Sequence, residues 1–205
     1  MPQIACTQVQ SKANNCGAYA LAAIAETFGV LPVEKDIKLI HDSRNSTLTK
    51  EQTKEEAVDS IYMITGNLSP NGKYTSDPNG TNSPSALSYV ARQLGLIVDV
   101  KVTTDCLKNL IPFYPGELDR CRNQANSVDV SATNYVVPTA DEIPLICVAN
   151  HFKSLHWIVQ GNDGLYYDPA VGTNDNLWAS PEATGSSIGC DYMWAGLWMV
   201  FRRNP

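Results

Sequence analysis

One cysteine of this sequence, Cys16, lies where a polar stretch meets an apolar one. The stretch before it reads QSKANN at residues 10–15, and the stretch after it, GAYALAAIAETF, carries apolar side chains at the spacing of a buried helix face. The pattern predicts a helix that starts near Cys16. The free N–H groups and the positive dipole end of a helix N-terminus favour the thiolate, which is the nucleophilic form of cysteine. The alternative is a small buried cysteine that only packs in the core.

A thiolate that attacks acyl groups needs a base, and the chain has three histidines that could supply it. His156 precedes Trp157 in the apolar run LHWIVQ, which predicts a buried strand. At the edge of a sheet its side chain can face a helix N-terminus, so His156 is the preferred base. The alternatives are His151, in the polar segment NHFKS, and His41. We expect His41 to be exposed at the end of a short surface helix over residues 34–41.

The base needs an acceptor that holds its second ring nitrogen. The sequence NDG at residues 162–164 predicts a tight hairpin turn, after which LYYD returns beside the strand of His156. This pairing places Asp168 close to the level of Trp157 or His156, where a carboxylate could orient the imidazole. The alternative is that Asp168 and Pro169 only end a strand, in which case Asn162 could orient the base.

Acyl transfer also needs donors for the oxyanion of the tetrahedral intermediate. The backbone N–H of Cys16 is one natural donor. The side-chain amide of Gln10, six residues upstream, is the second, and Gln8 is a less favoured substitute.

These residues together resemble the papain-like cysteine peptidases. The pattern is Gln10-x5-Cys16-Gly-Ala-x-Ala-Leu, followed late in the chain by His156-Trp-x-Val, a glycine turn and Tyr-Tyr-Asp168-Pro-Ala. It is most similar to the peptidase domains that remove double-glycine leaders from bacteriocins, and to their free-standing relatives. The resemblance implies Cys16 as nucleophile, His156 as base and acid, Asp168 as orienting residue and Gln10 as oxyanion donor. It implies a peptide or protein substrate and a thiol hydrolase that needs no cofactor and no metal.

Two other functions remain open beside hydrolysis of a peptide or amide bond. The same catalytic groups serve glutamine deamidation and acyl transfer of the transglutaminase kind, which would fit a bacterial toxin or effector. A binding module could also keep the fold without catalysis. Fold analogy does not choose among these functions.

Composition narrows the class of protein. With 205 residues, of which 43% are hydrophobic and 18% charged, the chain predicts an ordinary folded domain. A net charge of −6 and the lack of any basic run argue against nucleic acid as a partner. No apolar run is long enough to span a membrane, and the N-terminus does not predict a secretory signal peptide. We therefore expect a cytoplasmic protein, or one that is delivered without such a signal.

The six cysteines are spread along the chain, and none form a C-x-x-C pair. That spacing argues against a zinc ribbon and a thioredoxin-type site. Without a secretory signal we expect free thiols. A disulfide between Cys6 and Cys16 is the alternative, and it would disable the nucleophile.

Helical patterns precede strand patterns along the chain. Helices are predicted at residues 49–65, with a capping box of Thr49 and Gln52, and at residues 83–94, with Ser83 as the cap. Strands are predicted at residues 96–103, 143–149, 155–160, 165–168 and 192–202. This order predicts an α+β fold in which N-terminal helices pack on a C-terminal antiparallel sheet. We expect one domain over residues 1–205, with insertions near 43–82 and 104–142 relative to the leader peptidases.

Overall fold

The computed structural model describes residues 3–69, 73–75, 79–109, 111–150, 155–161, 164–175, 185–187 and 190–204. Two residues considered above, His151 and Asn162, lie outside this described part. The elements within it are α1 (Cys16–Thr27), β1 (Ile37–His41), β2 (Arg44–Leu48), α2 (Lys54–Thr65), α3 (Pro84–Gln93), β3 (Leu96–Thr103), α4 (Thr104–Asn109), α5 (Glu117–Gln124), β4 (Ser127–Ala132), β5 (Glu142–Asn150), β6 (Leu155–Gln160), β7 (Tyr166–Asp168), β8 (Thr173–Asp175), β9 (Gly185–Ser187) and β10 (Cys190–Arg203).

The strands after α3 form one sheet in the order β4-β3-β10-β5-β6-β7-β8, with β9 paired to β10. Every pairing in this sheet is antiparallel except that of β3 with β4, which is parallel. Helices dominate the first half of the chain and the sheet dominates the second. The predicted α+β architecture is therefore confirmed.

The sheet buries apolar side chains on both faces. Trp157, Tyr167 and Phe201 belong to the main core, which they share with α1, α2 and α3. A smaller cluster that includes Ile158 and Tyr192 covers the opposite face. Because side chains alternate along a strand, His156 and Asp168 share the face of the smaller cluster.

The helix that carries Cys16 is held firmly by the main core. All residues of α1 from Cys16 to Ala25 are buried, and Leu21 and Ile24 are fully enclosed. Burying a side chain of that size stabilises a fold by about 1.5–3 kcal/mol. The start of α1 is therefore a rigid position, and α1 packs against β6, the strand of His156.

The capping of α3 agrees with the prediction, whereas that of α2 differs. Ser83 accepts the N–H of Ala86, as predicted. The capping box of α2, however, is formed by Thr53 and Glu56. Gln52 instead accepts the backbone N–H of Thr49 at 2.9 Å and stabilises the turn before the helix.

The helix predicted at residues 34–41 is wrong, because this segment contains β1, which pairs with β2 as a hairpin. Its buried residues alternate as in a strand: Leu39 and His41 are buried, whereas Ile40 is 63% exposed. The expected exposure of His41 is wrong for the same reason. Its ring stacks on Tyr89 of α3, with 4.8 Å between the ring centroids.

No helix in the described ranges is both long enough and apolar enough to cross a membrane.

Candidate active site

Cys16 is the first residue of α1 and is only 3% exposed. The next backbone N–H groups already have acceptors: that of Gly17 donates to Asn82 Oδ1 at 2.8 Å, and those of Ala18 and Tyr19 donate to a carbonyl of the preceding turn. For the N–H of Cys16 itself, no acceptor is found among the described residues. Among the described residues, this amide is therefore the first-turn donor for which no acceptor is found.

Asn82 connects the start of α1 to two other elements. Its Nδ2 donates to Thr65 Oγ1 at the end of α2, at 2.6 Å. Its backbone carbonyl accepts the indole N–H of Trp157 in β6, at 3.2 Å. A Cβ atom at Gly17 would lie 2.6 Å from Asn82 Cβ, so the close approach requires glycine directly after Cys16. Asn82 thus fixes both Gly17, which follows Cys16, and Trp157, which follows His156.

His156 and Asp168 form a buried pair. His156 Nε2 lies 2.7 Å from Asp168 Oδ1, and the residues are 8% and 3% exposed. Antiparallel pairing of β6 with β7 brings the two residues together. With Nε2 directed at the carboxylate, Nδ1 is the ring nitrogen available to Cys16.

The charged states of this pair stabilise each other. Burial alone would lower the pKa of His156, but the charge of Cys16 and hydrogen bonds to Asp168 and Cys16 raise it above its ordinary value. Burial likewise tends to raise the pKa of Asp168, but the hydrogen bond and charge of His156 and two further donors hold it below its ordinary value. The site therefore favours an imidazolium held by a carboxylate.

Gln10 lies on the segment that approaches both Cys16 and Asp168. Its backbone N–H donates to the carbonyl of Pro169 at 2.7 Å. Its Nε2 donates to the carbonyls of Lys12 at 2.9 Å and Ala13 at 3.2 Å, within the turn that leads to the cysteine. Gln10 thus shapes the entry to α1.

The substitute donor Gln8 has a different position. Its Nε2 donates to Glu55 Oε1 in α2 at 2.6 Å, and its backbone carbonyl accepts the hydroxyl of Tyr167 at 2.8 Å. Its side-chain amide is therefore engaged with α2.

The histidine of the β1–β2 hairpin is not part of this cluster. His41 stacks on Tyr89 and lies beside Asp42, with 3.8 Å between His41 Nε2 and Asp42 Oδ2. Burial lowers its pKa, so the imidazole is held neutral.

The described part of the structure has no disulfide between Cys6, Cys16, Cys106, Cys121 and Cys147, so Cys6 is not joined to Cys16. Burial raises the pKa of Cys106, Cys121 and Cys147, which keeps these three thiols protonated. They have the character of structural cysteines.

Sequence reasoning missed two residues of the site, Asn82 and Tyr192. Tyr192 donates its hydroxyl to Asp168 and stacks on His156. Its aromatic type at the start of a predicted strand indicates burial, but a single sequence gives no register to place it. No local sequence pattern indicates a role for Asn82, apart from its position directly before the N-cap residue of α3.

Comparisons with known proteins identify the family. Residues 8–204 match the family model described as "Invasion plasmid antigen J, cysteine protease". The cysteine protease IpaJ of Shigella flexneri is 30% identical to this chain in an alignment of 178 residues. The alignment covers 82% of this chain and just under two thirds, 66%, of that protein. No solved structure matches the chain. A cysteine protease is thereby confirmed at the level of the family, whereas the resemblance to leader peptidases stays a prediction. The chain belongs to the IpaJ family of cysteine proteases.

Proposed function

We propose that this chain hydrolyses a peptide bond of a protein substrate through an acyl-enzyme on Cys16. The observation that carries the proposal is the buried pair of His156 and Asp168, 2.7 Å apart, whose imidazole also interacts with the cysteine that begins α1. Membership of a cysteine protease family supports a nucleophilic cysteine and a protein substrate.

The first half of the reaction forms a thioester. Cys16 Sγ attacks the scissile carbonyl carbon, and an electron pair moves from the C=O bond to the oxygen. As that pair returns, the C–N bond breaks, and His156 Nδ1 gives its proton to the leaving amine. The acyl group is then bonded to Cys16 and the imidazole is neutral.

The second half of the reaction hydrolyses the thioester and releases the carboxylic acid product. His156 Nδ1 takes a proton from water, whose oxygen attacks the thioester carbon, and Cys16 leaves as a thiolate beside the imidazolium. Asp168 holds the imidazole by Nε2 in both halves and stabilises its positive charge.

The oxyanion of both intermediates needs donors near Cys16. We assign its backbone N–H as the first donor, because the following amides already have acceptors. Gln10 Nε2 is proposed as the second donor. To reach the oxyanion, it exchanges its longer hydrogen bond, 3.2 Å to the carbonyl of Ala13, for one to the substrate.

The family description, which names an invasion plasmid antigen, supports a substrate in the cell that is invaded. We propose a substrate from a host cell.

The test compares purified wild type with Cys16→Ala on lysates of animal cells and of bacterial cells. New protein N-termini are labelled and identified by mass spectrometry. Wild type is expected to create a small set of new N-termini in the animal lysate, and Cys16→Ala none. The matched control is Cys106→Ala, which changes a buried structural thiol and should leave the cleavage pattern intact.

Cleavage by Cys16→Ala equal to wild type would overturn the assignment of the nucleophile. A gain of about one dalton at glutamine residues without new N-termini would instead establish the deamidase alternative. Cleavage confined to the bacterial lysate would contradict the proposed source of the substrate.

A further inference from the structure

Tyr192 contacts both members of the buried pair. Its hydroxyl donates to Asp168 Oδ2 at 3.0 Å. Its ring lies against the imidazole of His156, with 5.3 Å between centroids and 21° between planes. The residue is only 4% exposed, so it separates this side of the pair from solvent.

We propose that Tyr192 is a positioning residue that holds Asp168 and His156 in their reactive arrangement. The inference rests on the proposed function, because it concerns the same base and orienting residue. Tyr192 is not itself assigned a proton transfer or a contact with substrate.

The hydroxyl acts on the orientation of the carboxylate. Asp168 Oδ1 accepts both the His156 Nε2–H at 2.7 Å and the backbone N–H of Ala170 at 2.8 Å. Without the hydroxyl of Tyr192 on Oδ2, the carboxylate could turn more easily about its Cβ–Cγ bond and weaken both hydrogen bonds. The hydroxyl of Tyr192 anchors this second oxygen and favours the ionised carboxylate.

The ring acts on the imidazole. An aromatic face parallel to an imidazolium attracts the cation, and it limits the tilt of the ring away from Asp168. It also keeps water from the hydrogen bond of His156 to Asp168, which strengthens that bond.

The backbone of Tyr192 is fixed independently of these contacts. In β10 it pairs with Asn150 of β5 on one side and with Gly185 of β9 on the other. Two residues further along, Trp194 pairs with Val148, which in turn pairs with His156. Substitution of the Tyr192 side chain should therefore leave the register of these strands unchanged, because other residues maintain it.

The main test uses Tyr192→Phe, which keeps the ring and removes the hydroxyl. We expect kcat to fall about tenfold or more with little change in KM, because a hydrogen bond to a charged group is lost. The profile of kcat/KM against pH should narrow. Its acidic limb should move to higher pH, because the pKa of Asp168 rises when the carboxylate loses a donor. Its alkaline limb should move to lower pH, because the pKa of His156 falls when the imidazolium is held less firmly.

Tyr192→Leu removes ring and hydroxyl, and we expect it to lose more activity than Tyr192→Phe. The matched control is Tyr135→Phe, which removes a tyrosine hydroxyl from the same face of the sheet, where it donates to Gln160 at 2.7 Å. This control should keep wild-type kcat and pH profile. A fall in thermal stability alone, with kcat per folded molecule and pH profile unchanged in both Tyr192 variants, would overturn the proposal.

A second measurement does not depend on activity. The titration of His156, followed by NMR of labelled histidine, should show a midpoint lower by about half a pH unit or more in Tyr192→Phe than in wild type. An unchanged midpoint would overturn the positioning role. Failure of the proposed protease function would be recognised separately, by activity that persists in Cys16→Ala.

Discussion

At the scale of single residues, Asp168 is the acceptor around which the other groups of the site are arranged. Among the described residues, His156 and Ala170 donate to its Oδ1 and Tyr192 donates to its Oδ2, all at 2.7–3.0 Å. A buried carboxylate that accepts several hydrogen bonds keeps its charge, and the pKa of Asp168 is accordingly held below its ordinary value. The imidazole of His156 thus has a fixed partner before any substrate arrives.

The change Asp168→Asn tests the charge of this acceptor. The amide is similar in size but cannot stabilise an imidazolium, so we expect kcat/KM to fall about 100-fold or more while the fold persists. The measurement is kcat/KM on a cleaved peptide, with circular dichroism as the check of folding. Asp129→Asn is the control, since that carboxylate contacts Ser131 and Lys101 at the surface. Wild-type turnover in Asp168→Asn would show that another group orients the base.

The sequence allowed Cys16, His156 and Asp168 to be predicted because each depends on local structure. The cysteine follows from a helix start, and the pair spans one hairpin of 12 residues. Asn82 and Tyr192 could not be predicted in this way. Their contacts join segments that lie 65 and 24 residues apart, and no local pattern encodes those pairings.

At the scale of elements, the start of α1 is fixed by its contact with the residue that precedes the α3 cap. Gly17 donates its N–H to Asn82 and leaves no room for a side chain between them. The same asparagine accepts from Trp157, so α1, α3 and β6 meet at one point. The position of Cys16 relative to His156 depends on this contact.

The change Gly17→Ala tests that contact. Its Cβ would lie 2.6 Å from Asn82 Cβ, so we expect the free energy of unfolding to fall by about 1–3 kcal/mol. Chemical denaturation measures the effect. In an Asn82→Gly background the opposing atoms are absent, and the same change should cost much less. An equal cost in both backgrounds would contradict the contact.

Helix α1 could be predicted from its apolar pattern, whereas several boundaries could not. The segment of β1 carries Ile37 and Ile40 at helical spacing, yet Ile40 is exposed and Leu39 is buried, because pairing with β2 decides which face is covered. In β10, the two residues between Trp194 and Leu197 have no partner in β5. No local sequence pattern predicts this shift of register.

At the scale of the whole molecule, the thiols differ in what surrounds them. Cys106, Cys121 and Cys147 are enclosed in the main core, and burial raises the pKa of each. Cys16 lies in the same core, but it begins a helix and interacts with the imidazole of His156. A non-catalytic binding module of the same fold would not need a cysteine that interacts with a histidine.

The most direct test of an activated Cys16 compares all six thiols of the folded protein. A short pulse of iodoacetamide at mildly acidic pH is followed by mass spectrometry of each cysteine peptide, in wild type and in His156→Ala. We predict that Cys16 is alkylated first in wild type and at least about tenfold more slowly in His156→Ala. Labelling of Cys16 no faster than that of Cys106 and Cys147, or at the same rate in both proteins, would contradict the account.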